Sequence, residues 1–289
     1  MVAAVLAAAA LLAPTVPQGN LLTNPGAEAG QASPSGETTV SIPGWQTTST
    51  FTVAPYGGGG APDFFTFPPT SESQRIQGGT NFFAGGFRAG TSTATQIVDV
   101  SRAASLIDAG FVSATLTAWL GGFLSQPDPG TVQADFLTAA GGTLDNVKIG
   151  PVTPAERDND LKFVEKGGSA LVPKGTRSIR VTMTAVQVEG TYDDAYFDNL
   201  VLGFKGPALD VSRRCAKHRR VTISAGVPPG LRALSVTFRL RTKTHVDRRA
   251  PFTATFVLGS KPATVTAAAI VRVGGQQAVI AGGQVVRCP

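Results

Sequence analysis

Apolar and polar residues alternate with a period of two through several short stretches of this chain. In residues 111–120 one side collects Val112, Ala114, Leu116, Ala118 and Leu120, and the other collects Ser113, Thr115, Thr117 and Trp119. That rhythm marks a half-buried strand, because successive side chains point to opposite faces of a sheet. The aliphatic side is expected to be core, which leaves Trp119 among hydroxyls on a wetter surface. Residues 178–185 repeat the pattern, with Ile179, Val181 and Met183 inward and Arg180, Thr182 and Thr184 outward, and residues 131–136 repeat it again. Strands at short intervals, separated by Gly-Gly and Pro-Gly turns, predict an all-β, antiparallel sandwich.

A second series of strands follows Cys215: residues 219–224, 234–240, 251–257, 263–273 and 276–287. Gly274-Gly275 sits between the last two as a two-residue hairpin turn. Five or more strands in some 75 residues predict a smaller sandwich of their own. Residues 57–69, Gly-Gly-Gly-Gly-Ala-Pro-Asp-Phe-Phe-Thr-Phe-Pro-Pro, carry too much glycine and proline for regular structure. Their Phe64, Phe65 and Phe67 either tuck onto the core or form an exposed contact; core packing is the expectation.

Composition sharpens the division. The 289 residues include 34 Gly and 20 Pro, which suits short strands and tight turns. Residues 1–205 hold 11 Lys/Arg against 17 Asp/Glu, whereas residues 206–289 hold 14 against 2. The net charge therefore changes from −6 to +12 near residues 205–214, which read as a linker. Two domains follow, 19–204 and 215–289. The two cysteines, Cys215 and Cys288, bracket the second from end to end and read as a disulfide of an oxidising compartment; the alternative is two unrelated thiols. Residues 2–13 form an unbroken apolar run, too short to span a bilayer but suited to the core of a signal peptide over residues 1–18. A buried N-terminal helix is the alternative. No second apolar run reaches spanning length. The expectation is a secreted, extracellular protein.

Carboxylates sit where charge is costly. Asn20-Leu-Leu-Thr-Asn-Pro-Gly-Ala-Glu28 opens the first domain, and Tyr192-Asp-Asp-Ala-Tyr-Phe-Asp198-Asn-Leu-Val-Leu202 closes it. Each places an acid in or beside an apolar strand, which demands a partner. One cation shared by the two strands accounts for both.

With Pro43-Gly-Trp45, these segments resemble the galactose-binding-like jelly rolls that include many carbohydrate-binding modules. The resemblance covers roughly residues 20–204. It implies a structural calcium held by Glu28 and Asp198 with backbone carbonyls, as a hard, oxygen-seeking cation requires. The second domain more loosely resembles the small immunoglobulin-like domains appended to secreted bacterial proteins. Arg249-Ala-Pro-Phe252 and the Gly-Gly turn carry that likeness, which implies a spacer or adhesive role.

A sugar site needs an aromatic platform flanked by polar groups. Trp119 with Thr115, Thr117 and Arg180 forms the best such set, with Tyr56, Tyr192 and Trp45 as further candidates; a Trp packed in the sandwich is the bland reading. Catalysis finds little support. The two histidines, His218 and His245, lie in the basic domain, and neither a Gly-x-Ser-x-Gly elbow nor a His-Glu-x-x-His helix occurs. Asp193, Asp194 and the Glu156–Asp160 cluster supply the carboxyls a glycosidase needs, and Asp158 with Asp160 is a candidate second calcium site, though acidic loops are usually only solvated. A net +12 attracts anionic polymers. Scarce aromatics argue against nucleic acid, so a carbohydrate or an anionic cell-envelope polymer is the expected partner. The leading reading is a non-catalytic binding protein. A structural or adhesin-like module without sugar binding is the alternative, and a glycan-active hydrolase is third.

Overall fold

The computed structural model describes residues 16–59, 66–259 and 261–288. The expected signal peptide falls almost wholly outside the described residues, as do Phe64 and Phe65. No helix among the described residues is long and apolar enough to cross a membrane. The chain divides into two compact units: Pro17–Val100 with Ser113–Phe204, and Ser101–Val112 with the chain from Lys205 onward.

The first unit contains ten strands. In chain order they are β1 (Gln46–Thr48), β2 (Thr52–Pro55), β3 (Asn81–Phe87), β4 (Thr91–Asp99), β5 (Ser113–Gly121), β6 (Gly130–Leu137), β7 (Thr143–Ile149), β8 (Phe163–Leu171), β9 (Ser178–Val186) and β10 (Tyr192–Lys205). They make two five-stranded sheets, ordered β1-β4-β9-β6-β7 and β2-β3-β10-β5-β8. The alternation read from the sequence holds: Ala114, Leu116, Ala118 and Leu120 of β5 and Ile179, Val181 and Met183 of β9 are buried. Trp45, Phe51, Phe83 and Phe197 join the sheets across the middle, with ring centroids 5.7–6.3 Å apart. The Trp45 indole N–H donates to the Asn24 carbonyl at 3.0 Å, so this tryptophan is core and not a ligand platform.

The sheet containing β10 has a second, outward apolar face. There Tyr56, Phe67, Phe82, Phe163, Tyr192 and Tyr196 cluster with Ile76, and Trp119 packs at the margin. Residues 66–69 and a short helix, α1 (Thr70–Ile76), cover this cluster. Phe67 is buried there, as the expectation of core packing requires.

The opening segment is held alongside the closing strand without forming a strand itself. Leu21 N–H donates to Leu202 O at 2.8 Å and Leu200 N–H to Pro25 O at 3.0 Å, while the Asn20 side chain bridges Leu200 and Leu202. Asn24 bonds Ala29 on both sides of its amide and reaches Pro43 O, tying the Asn-Pro-Gly turn to the Pro-Gly-Trp turn.

In the second unit, β11 (Asp210–Ala216), β12 (Arg220–Gly226) and β15 (Phe252–Val257) form one sheet. The other is β14 (Lys243–Asp247), β13 (Arg232–Leu240), β16 (Ala263–Val273) and β17 (Gln276–Val286). Residues 210–214, read as linker, are strand, because β11 pairs in full register with β12. Gly274 and Gly275 both take positive φ in the β16–β17 turn, as a two-residue hairpin requires. A second short helix, α2 (Ala104–Asp108), also belongs to this unit. The two cysteines are joined: S–S is 2.01 Å and the Cα atoms are 5.6 Å apart.

Candidate functional site

Two places in the first unit concentrate chemistry, and both lie on or beside the β10 sheet. The first is where the opening and closing segments meet. Asp198 is fully buried; its Oδ2 accepts from the Tyr56 hydroxyl at 2.6 Å and its Oδ1 from the Asn199 amide at 2.6 Å. Burial pushes its pKa up to about 8, opposed by those two hydrogen bonds and assisted by the negative charge of Glu28. Glu28 is exposed and accepts from Thr80 N–H at 3.0 Å, Asn81 N–H at 2.9 Å and the Thr80 hydroxyl at 2.7 Å.

Gly78 and Gly79 let the two acids approach one loop. A Cβ on Gly78 would collide with Asp198 Oδ2, and one on Gly79 (φ +74°) would lie 2.5 Å from the Glu28 carboxyl carbon. The structure thus brings Glu28 and Asp198 to adjacent positions on residues 78–81. A carboxylate offers about four lone-pair sites. Glu28 has used three and Asp198 two, so both retain capacity for a cation. Among the described residues, no group of three or more His, Cys, Asp or Glu side chains is placed to hold a metal. A cation here therefore needs carbonyl oxygens to complete its shell.

The second place is the β5–β8 margin of the outward face. Trp119 is half-buried, with the Arg75 guanidinium 5.0 Å over its ring. Arg75 is fixed by Glu72, with N–O distances of 2.8 and 2.5 Å, and by Phe163 O at 2.6 Å. Glu72 also accepts the Phe163 amide at 2.7 Å, so one buried carboxylate fastens α1 to β8. Register sets Glu165 opposite Trp119, Gly167 opposite Thr117 and Ser169 opposite Thr115. An indole edge, a guanidinium, a carboxylate and hydroxyls therefore share one strip.

Not every predicted residue belongs to it. Arg180 sits on β9, in the other sheet, where it pairs across the register with Asp135 at 2.8 Å. Tyr56 and Tyr192 are not on open loops; both are buried in the aromatic cluster. Arg75, Glu72 and Glu165 are the residues sequence reading missed. A Glu and an Arg three apart just after Pro68-Pro69 were the available signal for α1.

The remaining carboxylates are engaged otherwise. Asp193 and Asp194 are buried, and burial raises both pKa values to about 7. The Tyr196 hydroxyl donates to Asp194, and Asp128 accepts from the Asp194, Val188 and Glu189 amides. Glu156 is held by Thr153 and Lys166. Lys162 lies 3.0 Å from Asp158 and 3.6 Å from Asp160, so an ammonium stands where a second calcium would have to bind. His218 and His245 are exposed.

No family model and no curated protein matches this chain. Solved structures to which this chain shows a distant likeness include the enzymatically active domain of tailspike protein 4 from bacteriophage CBA120. That match has 15% identity and a TM-score of 0.37, and covers 64% of this chain but 21% of that one. The N-terminal CBM22-1–CBM22-2 tandem domain of Paenibacillus barcinonensis Xyn10C matches at 9% identity and a TM-score of 0.37, covering 94% and 86%. The adhesin domain of Epf from Streptococcus pyogenes matches at 8% identity and a TM-score of 0.26, covering 72% and 75%. Both units are all-β sandwiches.

Proposed function

We propose that this chain is a secreted, non-catalytic binding protein whose first unit is a jelly roll that takes carbohydrate at the β5–β8 margin. The observation that carries the reading is the half-buried Trp119 ring under Arg75, bordered by Thr115, Thr117, Glu165 and Ser169. An indole supplies the apolar surface that a pyranose face needs, and the surrounding polar groups match its hydroxyls. The acids of a hydrolase are not gathered there: Asp193 and Asp194 are buried against backbone and tyrosine, and Glu156–Asp160 are bound by lysines. The second unit, taken as an immunoglobulin-like sandwich, serves in this reading as an envelope-facing domain.

The same reading places a structural Ca2+ between Glu28 and Asp198. A buried carboxylate with an elevated pKa beside a second carboxylate is the electrostatic setting a divalent cation relieves. Bound there, the ion would supply cross-linking of the opening and closing segments rather than chemistry. Chelation is expected to lower the melting temperature of the first unit, and Asp198→Asn to remove that calcium dependence. An unchanged melting temperature on chelation rules the ion out.

The sugar site is tested by glycan-array binding of the wild type and Trp119→Ala. Loss of about tenfold or more in the folded variant supports the site. Full retention favours the rival reading, a structural or adhesin-like module, for which the filling of most of this face by the aromatic cluster already speaks.

A further inference from the structure

Ten of the fourteen Lys/Arg after position 205 gather at one end of the second unit. The register fixes which end each occupies. Arg220 pairs with Ala216 and with Val257, so the β11–β12 turn and the end of β15 lie together, and Leu258 N–H bonds Arg219 O at 2.9 Å. Leu240 pairs with Lys243 and Val265, and Ala263 with Val286, which brings the β13–β14 turn, the start of β16 and the end of β17 to a common end of their sheet. The Cys215–Cys288 bond joins this end to the first.

On and beside the β11–β12 turn are Arg213, Arg214, Lys217, Arg219 and Arg220. Arg239, Arg241 and Lys243 flank the β13–β14 turn, and Lys261 and Arg287 complete the set. All ten are exposed. The two carboxylates of residues 206–289 lie away from it: Asp210 pairs with Gly226 at the far end of β12, and Asp247, at the far end of β14, accepts from Thr253 N–H near the start of β15 at 2.9 Å. Seven residues of β12 separate the ends by roughly 20 Å at about 3.3 Å per residue. That is beyond the Debye length of about 8 Å at physiological salt, so the distant acids do not neutralise the cations. A recess of 240 Å³ opens among them, walled by Arg241 and Lys243 with Leu258 and Ala263.

We propose that this disulfide-tied end is a docking surface for a linear acidic polysaccharide. Seven of the ten cations are arginines, whose planar fork pairs with a carboxylate through two parallel bonds. Phe238, Phe252 and Phe256, the three Phe, Tyr or Trp residues after position 205, are buried, so no large aromatic platform for bases is exposed there. The surface therefore suits a polymer read by its charge and not one read by its bases.

The test uses the full chain, with polygalacturonate as the probe and neutral dextran and duplex DNA as comparisons. Polygalacturonate should bind, with affinity falling steeply with salt, and neutral dextran should not bind at this end. The triple reversal K217E/R219E/R220E should lower affinity at least tenfold, whereas R232E/R248E/R272E, which changes net charge equally at the other end, should change it less than threefold. Trp119→Ala should leave this binding intact, which separates it from the sugar site of the first unit. The proposal is overturned if the wild type ignores polygalacturonate, if both reversals cost the same, or if duplex DNA binds more tightly at equal salt.

Discussion

Asp193, Asp194, Asp198 and Arg157 lie buried inside the first unit, whereas all fourteen Lys/Arg after position 205 stand exposed on the second. The buried guanidinium of Arg157 donates to Asp160 O at 2.8 Å and Gln126 O at 3.0 Å, and so pins two loops from within. The buried acids accept from groups near at hand: Asp193 and Asp198 from the Ala195 and Asn199 amides of β10, Asp194 and Asp198 from the Tyr196 and Tyr56 hydroxyls. Each such group is expensive to desolvate and earns its place by fixing one arrangement of loops. The second unit shows the other solution. Among the described residues its interior holds no charged side chain and is built on Val221, Ile223, Val236, Phe238, Val265 and Val271, and a covalent bond secures its edge. A small core favours a disulfide over a polar network, because every buried position must contribute burial.

The largest expected effect is on the outward aromatic cluster. Phe82→Ala removes a fully buried ring from its centre and should destabilise the first unit by about 3–5 kcal/mol. In calorimetry only one of two transitions should move; if both shift together, the units do not melt independently. Next, replacing Cys215 and Cys288 by Ser should lower the second transition by roughly 2–5 kcal/mol and leave the first in place.

The buried acids give the comparison a pH signature. Asp193 and Asp194 bind protons more tightly folded, at about 7, than unfolded, where an Asp titrates near 4. Their ionisation therefore costs the first unit stability as pH rises from about 4 to 7, and the cost is complete above that. The loss should be on the order of 3 kcal/mol for each of the two, read from denaturant midpoints at pH 5 and 8. The paired change Asp193→Asn and Asp194→Asn should reduce the dependence and leave the part that Asp198, raised to about 8, contributes with the same sign. At the small end, Lys162→Ala should leave the midpoint nearly unmoved, since Asp158 and Asp160 are exposed partners.

Much of the fold is legible in the residues. The alternation of 111–120 and 178–185 assigned the buried faces, and 263–273 is a strand over those same residues. The opening and closing motifs lie side by side, held by backbone and Asn20 hydrogen bonds. What failed has a common cause: period two tells which side of a strand is inward but not which sheet the strand joins. Arg180 and Trp119 both point outward, yet on opposite sheets. β8 escaped notice because Gly167-Gly168 interrupts its pattern, and β14 because Lys243–Asp247 is polar and edge-placed, with little apolar content to mark it. Arg75 could not be linked to Trp119 without knowing that α1 folds over the β10 sheet.

The hydrogen bonds that string Asn20 and Leu21 along Leu200 and Leu202 mean that residues 17–204 begin and end at one spot, with residues 101–112, which belong to the second unit, looping out between. A cassette with neighbouring entry and exit can be spliced into a surface turn of a foreign scaffold without prying that scaffold apart, and its termini can be fused and reopened elsewhere. Evolution and the protein engineer alike can reuse such a part in tandem, in series or as an insert.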